Sequence, residues 1–241
     1  MNRRTMLICQ VILLGMWIFA FSQAKAEVSD FSCGPLWNAY GPFDYRSDKD
    51  KLPIVERAHF TPEVANLIRG STGPLGGDLD YTLRAFPNHP EALMSMVRLG
   101  NKEKTEKPSG ARYTVECWLH RAVRFRDNDA AAKMIYAIYL AKKGRNTEAL
   151  KQLNGAVELD EDSANLQYNI GLVYFDLGKF DESLKYAHRA YQAGFPLPGL
   201  RDKLKKAGKW REPASKNNSS TETTLDRTLP LVNDETEAMR K

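Results

Sequence analysis

The chain has 241 residues, 42% hydrophobic and 27% charged, with a formal net charge of +5. These are globular values; they exclude a fully disordered chain, a collagen-like chain and a disulfide-dense miniprotein. A basic balance suggests a nucleic-acid partner, but the placement of the basic residues argues against one.

Arg3 and Arg4 open the chain, and Leu7 to Phe21 is almost unbroken apolar sequence. Ala24-Lys25-Ala26 then puts small residues where a signal peptidase reads. The pattern predicts a secretory signal peptide over residues 1–26, cut after Ala26. An uncleaved anchor is the competing reading, but a run of about 15 residues is short of the ~20 a spanning helix needs. Cleavage removes Arg3, Arg4 and Lys25 and no acidic residue, so the charge falls by three, from +5 to +2. The expected location is periplasmic or secreted.

Cys9 leaves with this segment, and Cys33 and Cys117 remain. An even pair in an oxidising compartment is expected to form a disulfide, with two buried thiols as the alternative. The bridge would close a loop of about 84 residues, worth on the order of 4 kcal/mol in the chain-entropy account.

Residues 27–77 read as an irregular, aromatic-rich segment carrying Phe31, Trp37, Tyr40, Phe43, Tyr45 and Phe60, with Gly-Pro steps at 34–35 and 41–42. Within it, Thr61-Pro62-Glu63 predicts a helix start, with Gly70 as its end and residues 71–77 as a loop. A further helix is expected over 78–86, stopped by Pro87-Asn88-His89-Pro90. From there to about residue 209 the pattern is helix, short turn, helix. The first of these runs from Pro90 to near Gly100, and a polar loop, Gly100 to Gly110, follows.

A shift of 34 residues superposes the middle of the chain on itself. Ala130 falls on Ala164, Gly144 on Gly178, Glu148 on Glu182, Leu150 on Leu184 and Ala156 on Ala190. One repeat earlier, Leu119, Ala122 and Val123 fall on Leu153, Ala156 and Val157. Gly144 and Gly178 sit where a tight turn needs a left-handed residue.

The units Tyr136-Ala137-x-x-Leu140…Gly144…Ala149…Leu153…Ala156 and Gln167-x-x-Ile170-Gly171-x-x-Tyr174…Gly178…Ala187…Ala190…Phe195 resemble the tetratricopeptide repeat family. Gln167 and Lys133 stand where that family has a leading aromatic. The resemblance covers residues 78–209 at most, with units at 90–129, 130–163 and 164–197. It implies an all-α fold, a right-handed superhelical stack of helical hairpins with an irregular N-terminal segment. Residues 198–209 close the stack as a cap helix, with Leu200, Leu204 and Ala207 on one edge and Arg201, Lys203, Lys205, Lys206 and Lys209 on the wet side. That wet face accounts for the basic run without nucleic acid. Residues 210–241 are expected to be disordered, with Leu229-Pro230-Leu231-Val232 as a short apolar patch.

Catalytic patterns are absent: no metal-ligand spacing among His59, His89, His120 and His188, no nucleophile elbow, no phosphate loop. Gly76-Gly77 reads as an ordinary loop, and the acidic run at 158–162 as solvated helix ends. No catalytic residue, metal or cofactor is expected. By repeat alignment the resemblance implies a partner-binding groove lined by Met134, Ile138 and Lys142, with Ala131 and Ala141, and by Tyr168, Leu172, Phe175 and Asp176, with Asn165. The competing reading fills this groove with the chain's own N-terminal segment or cap helix.

The leading functional reading is a non-enzymatic scaffold or adaptor in the cell envelope, gripping a peptide or helix of an envelope or secretion-system protein. Nucleic acid and stable membrane insertion after cleavage are not expected. A second reading is an enzyme or glycan-binding protein with its site in residues 27–77, where Trp37, Tyr40, Phe43 and Tyr45 either plug the helical stack or stack on sugars. End-to-end stacking into a homo-oligomer is the third.

Overall fold

The computed structural model describes residues 33–159 and 162–213. The predicted signal segment and the Leu229–Val232 patch lie outside them, as do Asp160 and Glu161 of the acidic run. The described residues hold ten helices and no strand. They are α1 (Leu52–His59), α2 (Pro62–Ala65), α3 (Leu75–Ala85), α4 (Pro90–Glu103), α5 (Val115–Phe125), α6 (Ala130–Lys142), α7 (Asn146–Leu159), α8 (Ala164–Asp176), α9 (Phe180–Gln192) and α10 (Gly199–Lys206). Residues up to Trp210 belong to one unit, and Arg211 onward to another. None of the helices is long and apolar enough to cross a membrane.

At the starts of α5, α6 and α8 a side chain absorbs an orphan N–H: Thr114, Asp129 and Ser163 accept from Cys117, Ala132 and Leu166 respectively, three residues on. Helices α6 and α8 stop on one repeated turn. Gly144 and Gly178 both have φ +71°, and in each case the next residue donates back to the carbonyl five residues earlier, Leu140 or Tyr174. The 34-residue period is therefore a period of turn geometry as well as of sequence.

Three hairpins follow, α4–α5, α6–α7 and α8–α9. Each first helix packs on its own partner and on the first helix of the next unit. Small residues set the close crossings: Ala137, Ala149, Ala156, Ala187 and Ala190 are fully buried. One core runs from Phe60 and Leu79 through Trp118 to Leu140, and a second from Ala137 and Leu153 to Tyr174 and Tyr186. The second core bridges α6 to α8, so the units cannot be separated without exposing it. Gln167, in the place of the leading aromatic, is 2% exposed.

The N-terminal region departs from the sequence reading in four places. Residues 52–59, read as irregular, form α1, because Pro53 suits a first turn and Leu52 and Val55 are buried one turn apart. The helix expected from 61 to 70 is a single turn, and Leu67 at φ +58° ends it. Gly76-Gly77, read as loop, lie inside the first turn of α3. A Cβ on Gly76 would come within 2.3 Å of the Ser109 carbonyl oxygen, so the glycine admits the 104–114 loop. Gly100, read as a helix end, is likewise interior: a Cβ there would meet Val115 Cγ2 at 2.7 Å. The true end is Lys104, at φ +53°.

Candidate partner-binding surface

The groove residues lie on α6 and α8. On α6, Met134, Ile138 and Ala141 form a half-buried stripe one turn apart, leaning on the second core. Lys142 is exposed at its end. On α8 the equivalent positions lean on a different cluster, and one of them is buried. Tyr168 is 9% exposed and stacks on Phe195 at 4.1 Å, within the cluster built around Leu200 and Leu204 of α10. Leu172 and Phe175 pack on the same cluster. Asp176 stays exposed, 3.6 Å from Lys203 Nζ.

At Tyr168 the competing reading holds, since the chain's own cap helix lies against it; Leu172 and Phe175, on the same cluster, stay half-exposed. The physical reason is Gly199-Leu200, whose close approach lets Leu200 rest on Gly171. A Cβ on Gly171 would meet Leu200 Cδ2 at 2.5 Å. On α4, Ser95 Oγ and Arg98 Nη2 donate to the Ala65 carbonyl, and Lys102 Nζ to that of Leu67. The α6 stripe lies between these two flanks, each of which the chain contacts in part.

The cysteines are bonded. Cys33 and Cys117 have Cα atoms 5.2 Å apart, and the bridge ties the N-terminal strap to α5. One turn further along α5, Arg121 is 1% exposed and donates from Nη1 to the carbonyls of Cys33 (2.9 Å) and Pro35 (2.6 Å). Arg124 adds a bond to Gly34 at 2.6 Å. Desolvation lowers the Arg121 pKa, yet the guanidinium finds carbonyl partners.

Beyond the strap, Tyr40, Phe43 and Tyr45 pack on Leu52, Val55, Ala85 and Phe86. Phe43 N–H also donates to the Ala85 carbonyl. Trp37 does not join them: it is 79% exposed. The plug therefore consists of three aromatics, and Trp37 is a correction.

Next to this cluster, Asp44 and Asp129 are linked through Asn88, whose amide donates to each at 2.7 and 2.8 Å. Arg46 reaches Asp44 and Asn128, and Arg126 reaches Asp44. Burial would raise the Asp44 carboxyl; the Arg46, Asn88 and Arg126 hydrogen bonds outweigh it and hold it far below the usual range. This network bridges the turns before α4 and α6 and serves packing.

The histidines divide. His89 is buried and His120 half-buried, and His188 is half-buried with its ring edge-on to Trp210 at 5.0 Å. His59 Nδ1 lies 3.0 Å from Asp78. Sequence spacing hid the partnerships of Asp78 with His59 and of Arg121 with the strap, because each joins different segments of the chain. No group of three or more metal-ligating side chains occurs among the described residues.

A family model for the tetratricopeptide repeat matches residues 140–184, which run from the end of α6 through α7 and α8 into α9. That stretch is repeat sequence, and the described fold is a stack of such hairpins. The structure is also similar to the crystal structure of MamA, at 15% identity and a TM-score of 0.39, over 69% of this chain and 84% of that one. No curated protein matches the chain.

Proposed function

We propose that this chain is a non-enzymatic scaffold of the cell envelope that holds a partner protein on the α6 stripe. The observation that carries the reading is the stripe itself. Met134, Ile138 and Ala141 are half-exposed beside the exposed Lys142, while on α8 Tyr168 is buried under the cap-helix cluster and on α4 Arg98 and Lys102 are tied to the Ala65 and Leu67 carbonyls. Repeat hairpins present such first-helix faces to peptides and helices. The short apolar stripe suits one or two turns of a partner helix, with an acidic group placed for Lys142.

The export reading is supported by the bonded Cys33–Cys117 pair, since structural disulfides persist in oxidising compartments. The test is a photo-crosslinking amino acid at position 142 in cells that express the full chain. A partner band is expected, and Ile138→Glu should abolish it in protein whose circular dichroism and melting are unchanged. A band of equal strength in that folded variant would remove the stripe from the account.

A further inference from the structure

A second concave feature lies away from α6, between α1 and α3. It is a notch of about 160 Å³ lined by Tyr40, Ile54, Val55, Ala58, His59 and Tyr81. That is below the 300–1,000 Å³ typical of drug-sized ligands and suits one ring. Its walls are aromatic and aliphatic, and the imidazole of His59 is held in place.

The fixing comes from behind. The Asp78 side chain is fully buried and accepts the Ser71 N–H at 2.6 Å, the Thr72 N–H at 3.1 Å and the Thr72 hydroxyl at 2.6 Å. Burial would raise its carboxyl, but the hydrogen bonds from Thr72 and His59 lower it, so it stays an ionised acceptor. His59 Nδ1 lies 3.0 Å from Asp78 Oδ1, which fixes the orientation of the ring. Nε2 has no partner among the described residues. The imidazole also stacks on Tyr81 at 3.9 Å, and Arg84, engaged by Asp80 and Asn38, lies over that tyrosine.

These constraints select a ligand class. A purely aliphatic group would bury Nε2 unpaired, at a cost of about 1–3 kcal/mol. A cation would lack further ligands, as no group of three metal-ligating side chains occurs among the described residues. An anion would need a free positive group, and Arg84 is already paired. What fits is a neutral ring with an apolar face and a hydroxyl on its edge. We propose that the notch binds one pyranose ring of a saccharide, with a ring hydroxyl hydrogen-bonded to His59 Nε2 and its C–H face against Tyr40 and Ile54. Trp37, three residues before Tyr40 and bare, offers a flat platform for the adjoining sugar. This site is independent of the α6 stripe.

The test uses the full chain with neutral probes: glucose, galactose, N-acetylglucosamine and their di- and trisaccharides. Binding is followed by saturation-transfer NMR and calorimetry. At least one saccharide should bind with a millimolar or tighter constant. Ile54→Trp, which fills the notch from an exposed position, should weaken it at least about tenfold, and Trp37→Ala should weaken oligosaccharides more than monosaccharides. Neither variant touches the core, so both should melt as the parent does. No binding by any probe, undiminished binding by Ile54→Trp, or uptake of p-cresol in preference to every sugar would overturn the proposal.

Discussion

His89 Nε2 lies 3.1 Å from Glu56 Oε1, joining the turn before α4 to α1. The same ring caps α4, its Nδ1 accepting the Ala92 N–H, and it sits between Tyr45 and Phe60. The imidazole must be neutral, with its proton on Nε2, to make both contacts.

Burial depresses the His89 pKa to about 4. Its stabilising contribution is therefore complete above the unfolded value of about 6.5 and is lost as pH falls from there through about 4. The shift amounts to roughly 3 kcal/mol across that window. Glu56 acts in the opposite sense, because burial raises its pKa and protonation relieves it. Lys49, Glu91 and the Tyr45 phenol complete the titratable surroundings. Denaturation between pH 7 and 4 should show stability falling with acid, and His89→Asn, which keeps a cap, should flatten that slope. An unchanged slope in the variant would remove His89 as the source.

The Cys33–Cys117 bridge closes a chain separation of 84 residues. Replacing both cysteines by serine should cost roughly 4 kcal/mol, or on the order of 10 °C in Tm for a chain of this size. Reductant should lower the parent's Tm by a similar amount and leave the double variant unmoved. Equal melting of parent and double variant would mean that the bridge does not constrain the unfolded chain.

Arg121 holds the strap alongside the bridge. Arg121→Met should cost about 2–4 kcal/mol, because the Cys33 and Pro35 carbonyls lose their charged donor. Proteolysis should then cut the strap near residues 34–37 first. A variant as resistant as the parent would show that Arg124 and the disulfide suffice.

Phe43→Ala should cost about 2–3 kcal/mol, since Phe43 packs against Phe86 and Tyr40. Trp37→Ala should change Tm by less than about 1 °C, as expected of an exposed residue away from any core. Urea melts of the two variants side by side separate plug from platform. A large loss with Trp37→Ala would place that indole in contact with the domain.

The repeat units were legible because their determinants are local. Gly144 and Gly178 need a left-handed turn whatever surrounds them, and the 34-residue spacing of Ala156 and Ala190 follows from hairpin length. The N-terminal region was legible in its aromatic content but not in its helices. Gly76 and Gly100 looked like helix breakers, because the atoms that require them, Ser109 O and Val115 Cγ2, are distant in sequence. Tyr168 occupies the same repeat position as Met134, so alignment could not separate a covered side chain from a half-exposed one.

By itself, the sequence determined the hairpins, their turns, the number of units and the pair of cysteines available for bonding, since each follows from backbone preference, periodicity or count. Tertiary structure alone decided that Tyr168 is covered while Met134 is half-exposed, that Trp37 stays bare, and that Asp78 meets His59. Those outcomes depend on where α1, α10 and the strap come to rest. That is settled by apolar burial against Leu200 and by carbonyls meeting Arg121 across 86–88 residues of chain. Forces between groups so far apart leave no periodic trace in a sequence.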